Sequence, residues 1–154
     1  MPETEPQSDF QSLQAVLDEL GWPHEEAEPG RVIQTLFAAE RAQYNCYIHL
    51  LAERRQILCY SVYPRHVPPD RIHAVAECVA RANWDLIWGN FELNLDNGGL
   101  RFKTSLTLGK ADLQPALLRP LTLGNVSGMF RFQPSFDALI DSDIAVRDAL
   151  ALAV

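Results

Sequence analysis

The chain has 154 residues, of which 47% are hydrophobic and 21% charged, a composition that suits one globular domain and is wrong for a disordered chain. A net charge of −7, with no basic stripe to offset it, repels phosphate backbones and sets nucleic acid aside as a partner. Cys46, Cys59 and Cys78 form no CxxC pair and lie inside apolar segments, so reduced, buried thiols are expected rather than disulfides or a metal centre.

The acid excess sits at one end. Residues 1–30 carry eight acids and no Lys or Arg, and the other 124 residues carry 12 acids and 13 bases. Residues 1–8 read as a flexible acidic tail. Met1 to Pro6 offers neither a basic n-region nor an apolar h-region, so a signal peptide is not expected. No apolar run approaches the ~18 residues of a membrane span. A cytoplasmic protein without a membrane partner is the expectation.

A helix is predicted from Ser8 to Leu20, capped by Ser8 or Asp9, with Phe10, Leu13, Val16, Leu17 and Leu20 as its apolar stripe. Gly21 ends it, and Trp22-Pro23 opens an acidic loop to Gly30. The period then changes to two, predicting strands at Val32–Ala39, Tyr44–Ala52 and Ile57–Tyr63, joined by the polar turns Glu40–Gln43 and Glu53–Gln56. A second helix follows over Pro69–Asn83, its buried stripe built on Ile72, Val75, Ala76, Val79 and Ala82.

Next comes a hairpin. Ile87, Phe91, Leu93 and Leu95 alternate with polar residues, as do Leu100, Phe102, Leu106 and Leu108 after Asn97-Gly98. Asn-Gly suits a two-residue type I′ turn. Pairing Asp96 with Gly99 then sets Leu95 opposite Leu100, Leu93 opposite Phe102 and Glu92 opposite Lys103, the last a favourable cross-strand charge pair. From Asp112 to Ile140 helical spacing returns, with breaks or kinks expected at Pro120 and Pro134. Asp141-Ser142-Asp143 is a candidate cap for a last helix, Ile144 to Ala153. The organisation expected is a tail (1–8), an α+β domain (9–140) and a C-terminal helical extension (141–154).

Four stretches carry a family resemblance: Val79-Ala80-Arg81-Ala82-Asn83, Gly89-Asn90-Phe91-Glu92-Leu93-Asn94, Asp96-Asn97-Gly98-Gly99-Leu100-Arg101-Phe102-Lys103, and Met129-Phe130-Arg131-Phe132-Gln133-Pro134-Ser135-Phe136. With the element order α-β-β-β-α-β-β-α, they resemble the YbjN-type domain family, over about residues 8–140. The resemblance implies an antiparallel sheet packed by helices, as in class I type III secretion chaperones. It also implies a bacterial sensory-transduction regulator without established catalytic residues. In the related chaperones the domain dimerises and holds a partner segment extended on its surface.

The residues themselves point away from catalysis. His24, His49, His66 and His73 form no HExxH or HxH, and a metal site needs three or four converging ligands. Gly124-Asn125-Val126-Ser127-Gly128 lacks the GxSxG spacing, so its small residues read as an aid to close helix packing. Asp96-Asn97-Gly98-Gly99 lacks the calcium-loop spacing and its final Glu. Glu92 and Asp96 share a strand face with Arg101 and Lys103, which reads as solvated charge pairing. No enzyme, cofactor or metal is expected.

The meander is less ordinary. One face carries Ile33, Phe37, Tyr44, Cys46, Ile48, Leu50, Ile57 and Cys59, a core for the helices. The other carries Leu36, Tyr47, His49, Leu51, Leu58, Tyr60 and Val62 among Gln34 and Asn45, where an antiparallel sheet with one wet face is normally polar. Its six large apolar side chains together are enough to exceed the ~300–600 Å² of the largest patch on a typical monomer. Either the last helix covers this face, or the register is off by one and the faces swap, or the face is an interface. Two functions are carried forward. The first is a non-catalytic, chaperone-like module, a homodimer, holding a protein partner on the seven residues from Leu36 to Val62 and at the sheet edges. The second is a small-ligand sensor with a pocket between sheet and helices near Trp22, Trp84 and Trp88.

Overall fold

The computed structural model describes residues 6–39 and 42–154; residues 1–5 of the expected tail (1–8) and the first half of the turn at Glu40–Gln43 lie outside them, while residues 6–8 of that tail belong to the first helix. The chain builds α1 (Pro6–Glu19), β1 (His24–Glu28), β2 (Val32–Ala39), β3 (Ala42–Leu51), β4 (Gln56–Val62), α2 (Ile72–Asp85), β5 (Asn90–Leu93), β6 (Leu100–Thr107), α3 (Pro115–Asp141) and α4 (Val146–Leu150). The fold is α+β. Six antiparallel strands lie in the order β1-β2-β3-β4-β6-β5.

Inward residues of the central strands meet the helices in two clusters. Phe10, Leu13 and Leu17 of α1 join Ile33, Ile48, Leu50, Ile57 and Cys59, with Leu118 and Leu121 of α3. Val75, Cys78 and Ala82 of α2 join Tyr44, Cys46, Phe91 and Phe102, with Met129, Phe132 and Phe136 of α3. The period-two pattern of the meander therefore assigned its core face, and all three cysteines are free and buried. Small residues let α3 approach closely: a Cβ on Gly124 would stand 2.7 Å from the Trp88 ring, and one on Gly128 2.4 Å from the Phe102 ring.

A polar cluster is sealed between α3 and the sheet. Asn125 donates from Nδ2 to the carbonyls of Cys59 (2.7 Å) and Phe102 (3.1 Å) and to Thr104 Oγ1 (3.2 Å), and it accepts from the Ser61 hydroxyl. All three polar side chains of this group are paired, as burial requires. At the far end of α3, Arg65 of the loop after β4 grips Asp141 at 2.6 and 2.9 Å.

Several expectations are corrected. The acidic loop after Trp22 contains a strand: His24–Glu28 pairs with β2, and its charges mark it as an edge strand guarded against further pairing. Asp9 does not cap α1; it lies within the helix and binds Arg55 Nη2 at 3.0 Å. The hairpin is shifted by two residues, with Leu93 opposite Leu100, Phe91 opposite Phe102 and Glu92 opposite Arg101. Its loop is longer than an Asn-Gly turn because Asn94 organises it. The Asn94 side chain accepts from the amides of Asp96 (2.9 Å) and Asn97 (3.3 Å), and its carbonyl accepts from Gly98 (2.8 Å). Gly98 sits at φ +76°, where a Cβ would fall 2.1 Å from the Val67 carbonyl. Ile87 and Leu95 consequently lie outside the strands.

α3 is continuous through Pro120 and Pro134. Each proline removes one backbone bond, at about 3 kcal/mol, but buried residues from Leu118 to Ile140 hold the helix on the sheet along its length. The last helix is shorter than expected, and the residue before it, Ala145, supplies no side-chain cap. Asp143 instead binds Arg71 Nη1 at 2.6 Å. α4 packs on α2 and α3, with Ala149 fully buried in their cluster.

Candidate functional site: the outer sheet face

Because side chains alternate across a strand, fixing the inward set fixes the outward one. Register rows across β2, β3, β4 and β6 place Leu36, Asn45, Val62 and Arg101 side by side, then Gln34, Tyr47, Tyr60 and Lys103, then Val32, His49, Leu58 and Ser105. Leu51 lies in the next row, opposite Gln56. All seven side chains singled out in the sequence thus share one face, and neither helix-packed cluster includes any of them. Leu36 is 50% exposed, Tyr60 is nearly buried, and Tyr47, His49, Leu51, Leu58 and Val62 are half-buried. Among the described residues α4 contacts α2 and α3, so the last helix does not roof this face.

The face has a sharp chemical border. Its centre is apolar and aromatic, with the His49 ring set edge-on to Tyr60 at 5.2 Å between centroids. Toward β6 and β5 it becomes charged. Arg101 lays its guanidinium 4.1 Å above the Tyr60 ring, a favourable cation–π geometry. Glu92 binds Arg101 Nε at 2.7 Å on one side and Lys103 Nζ on the other. Burial opposes ionisation of Glu92, but those two cations outweigh it and hold the carboxyl below its usual range. Burial also lowers the pKa of His49, with Glu28 opposing and Arg101 adding to the shift. A shallow groove of ≈ 470 Å³ continues the face past Val62 and Arg101 to the hairpin loop at Asn94 and Asn97. Sequence reasoning placed Arg101, Lys103 and Glu92 on a solvent face but did not join it to the meander, because nothing in the residues announces that β4 pairs with β6.

The two sheet edges differ. At β5 the Asn83 side chain accepts from the Phe91 amide (2.8 Å) and donates to the Phe91 carbonyl (3.1 Å), standing where an added strand would bind. At β1 the edge carries Glu25, Glu26 and Glu28, all exposed. Strand addition is therefore disfavoured at both edges, one by occupation and one by charge.

Among the described residues the three tryptophans expected to line one pocket pack in different places. Trp22 packs on Phe37 at 5.5 Å and Trp88 on Gly124, whereas Trp84 lines a separate cleft between α2, α3 and α4 that includes neither of the others. Among the described residues no group of three or more His, Cys, Asp or Glu side chains is placed to hold a metal. Among those residues no helix is long and apolar enough to cross a membrane.

Comparison with known proteins agrees with this architecture. The crystal structure of YbjN from E. coli superposes with a TM-score of 0.58 at 15% identity, covering 77% of this chain and 84% of that one. A chain of the HopA1–SchA chaperone–effector complex superposes at 0.52 with 11% identity, covering 78% and 88%. At these identities the likeness is one of fold, that of the type III secretion chaperones. No curated protein matches the sequence. A family profile described as "Putative bacterial sensory transduction regulator" matches residues 9–122, and with that match the chain belongs to the YbjN family.

Proposed function

We propose that this protein is a non-catalytic, chaperone-like regulatory module of the cytoplasm that holds a partner polypeptide on the outer face of its sheet, and that it works as a homodimer. The observation that carries the reading is the uncovered face itself: Leu36, Tyr47, Leu51, Leu58, Tyr60 and Val62 lie together, and among the described residues no helix packs over them. An aromatic centre rimmed by charged side chains is the usual make-up of an interface. A regulator family and the fold of a chaperone from a chaperone–effector complex support the same reading, and neither description is that of an enzyme. Both edges being guarded, side-chain contact across the face does the holding rather than strand addition.

The test is hydrogen–deuterium exchange of the full chain with and without candidate partner polypeptides encoded beside it. Protection of Ala42–Leu51 and Gln56–Val62 that disappears in the Leu58→Asp variant supports the proposal. Protection confined to the helices, or none with any partner that co-purifies, overturns it.

A further inference from the structure

A second concave feature lies among the helices, away from the outer sheet face. A cleft of ≈ 890 Å³ opens between α2, α3 and α4, and no strand residue lines it; small-molecule sites occupy ~300–1,000 Å³. Phe132 and Leu150 contribute apolar lining, and α2, α3 and α4 each bring one arginine: Arg81, Arg131 and Arg147. The C-terminal wall is held in place by fully buried Ala149 and by the Val154 amide, which donates to the Arg131 carbonyl at 3.2 Å. The three arginines are not equally engaged. Glu77 holds Arg81 at 2.7 Å. Among the described residues Arg131 and Arg147 form no ion pair with a carboxylate, whereas Arg55, Arg65, Arg71 and Arg101 all do. Two open guanidinium groups at one cleft suit an anion, since each can grip a phosphate through two parallel hydrogen bonds. Trp84 adds an independent element. Trp22 packs on Phe37 and Trp88 on Gly124, but Trp84 lines this cleft and is 88% exposed, which leaves its indole open to a planar ring.

We propose that this cleft is a nucleotide-binding site, with the base stacked on Trp84, the phosphates on Arg131 and Arg147, and the ribose hydroxyls donating to the Asp85 carboxylate. Stacking on an aromatic side chain is favourable for any base, because every base has a π-face. A bare phosphate uses the two arginines and leaves Trp84 and Asp85 idle. An acyl carboxylate uses the apolar lining and one arginine and leaves the same two idle. A nucleotide engages all four. The net charge of −7 does not oppose it: eight of the 20 acids lie in residues 1–30, none of which lines the cleft, while the cleft itself sets three arginines against Glu77 and Asp85. The wall from Arg131 to Ala153 lies beyond residues 9–122 matched by the family profile, so the family match does not account for the site. The inference is independent of the polypeptide-holding function proposed above, which uses the opposite parity of β2, β3 and β4.

The experiment is isothermal titration of the full chain with ATP, AMP, adenosine, inorganic phosphate and decanoate, with hydrogen–deuterium exchange on the ATP-saturated sample. The expected result is one ATP per chain, bound more tightly than AMP, and AMP more tightly than adenosine or inorganic phosphate. Exchange slows at the C-terminal end of α2 and in α4. Arg131→Ala and Arg147→Ala each weaken ATP binding by about 10-fold or more, the range of a charge-assisted phosphate contact. Trp84→Ala weakens ATP and AMP by roughly 10-fold, the loss of one base stack, while Trp84→Phe retains most of the affinity. All three side chains are exposed, so the variants keep the fold. Leu58→Asp, placed on the sheet face, leaves ATP binding as in wild type, so failure of either reading is distinct from failure of the other. No saturable binding of ATP or AMP overturns the inference. So does inorganic phosphate binding as tightly as ATP, which assigns a simple anion site, or decanoate binding more tightly, which assigns an acyl carboxylate. ATP binding that is unchanged in Trp84→Ala and in the Arg131→Ala, Arg147→Ala double variant also overturns it, because the nucleotide then binds elsewhere.

Discussion

Arg101 holds its guanidinium 4.1 Å above the ring of Tyr60, and this contact is the line at which the outer sheet face changes from apolar to charged. Glu92 fixes the guanidinium from behind at 2.7 Å, so the ring and the cation cannot rearrange independently. Arg101→Ala removes one cation–π contact and one partly exposed ion pair, each about 0.5–1 kcal/mol. The expected loss is about 1 kcal/mol in urea unfolding, with the fold intact. A loss several times larger shows that the border also supports the core.

Neighbouring residues of β4 make the sharpest test of which face is which. Ile57 is fully buried under the helices, while Leu58 points the other way and is half-buried. Ile57→Ala is expected to cost ~2–5 kcal/mol, and Leu58→Ala less than about 1.5 kcal/mol. Equilibrium denaturation of the two variants compares them directly. Equal costs mean that something packs on the outer face as firmly as the helices do on the inner one.

The Asn125 side chain bonds the carbonyls of both Cys59 and Phe102, and through them β4 and β6. Replacing it with Leu keeps the volume but leaves those carbonyls and the Ser61 hydroxyl without their partner in a dry site. At ~1–3 kcal/mol for a buried polar group left unpaired, Asn125→Leu is expected to lower stability by roughly 3 kcal/mol, read from its urea midpoint. A neutral or stabilising result contradicts a structural role for the cluster.

His49 gives the face a pH dependence. Burial lowers its pKa in the folded state, with Glu28 opposing and Arg101 assisting. The unfolded chain therefore takes up the proton first as pH falls, and stability declines from about pH 6.5, the ordinary His value, down to the folded pKa. Above pH 6.5 the contribution is complete. A partner that covers His49 lowers its pKa further, so binding also weakens on acidification. Stability measured from pH 7.5 to 5 in wild type and His49→Gln checks this: the variant loses the His49 share of the slope. An unchanged slope contradicts it.

Much of this was legible in the residues, and the misses have physical causes. Alternation across β2, β3 and β4 assigned both sheet faces, because one large core cannot be served by both parities. The hairpin slipped by two residues, an even number, which is why Phe91, Leu100 and Phe102 still point inward; Asn94 captured the turn through contacts that an Asn-Gly pattern does not reveal. β1 was missed since His-Glu-Glu-Ala-Glu has no apolar alternation and is held only by pairing with β2. The two prolines of α3 suggested breaks that long-range packing overrides. The border at Arg101 and Tyr60 depends on β4 meeting β6, a pairing between segments about 40 residues apart that no local pattern encodes.

The central claim, that the outer face holds a polypeptide, is tested most directly by photo-crosslinking in the native host, with a photoreactive phenylalanine analogue at Tyr47 and a control at Glu77 on α2. The account predicts adducts from position 47 to a heterologous polypeptide, mapping to one contiguous apolar segment and lost when Leu58→Asp is added, while position 77 yields no such adducts. Adducts to other polypeptides that are as abundant from position 77 as from position 47, or an absence of heterologous adducts at position 47 in cells that express the protein, contradict it.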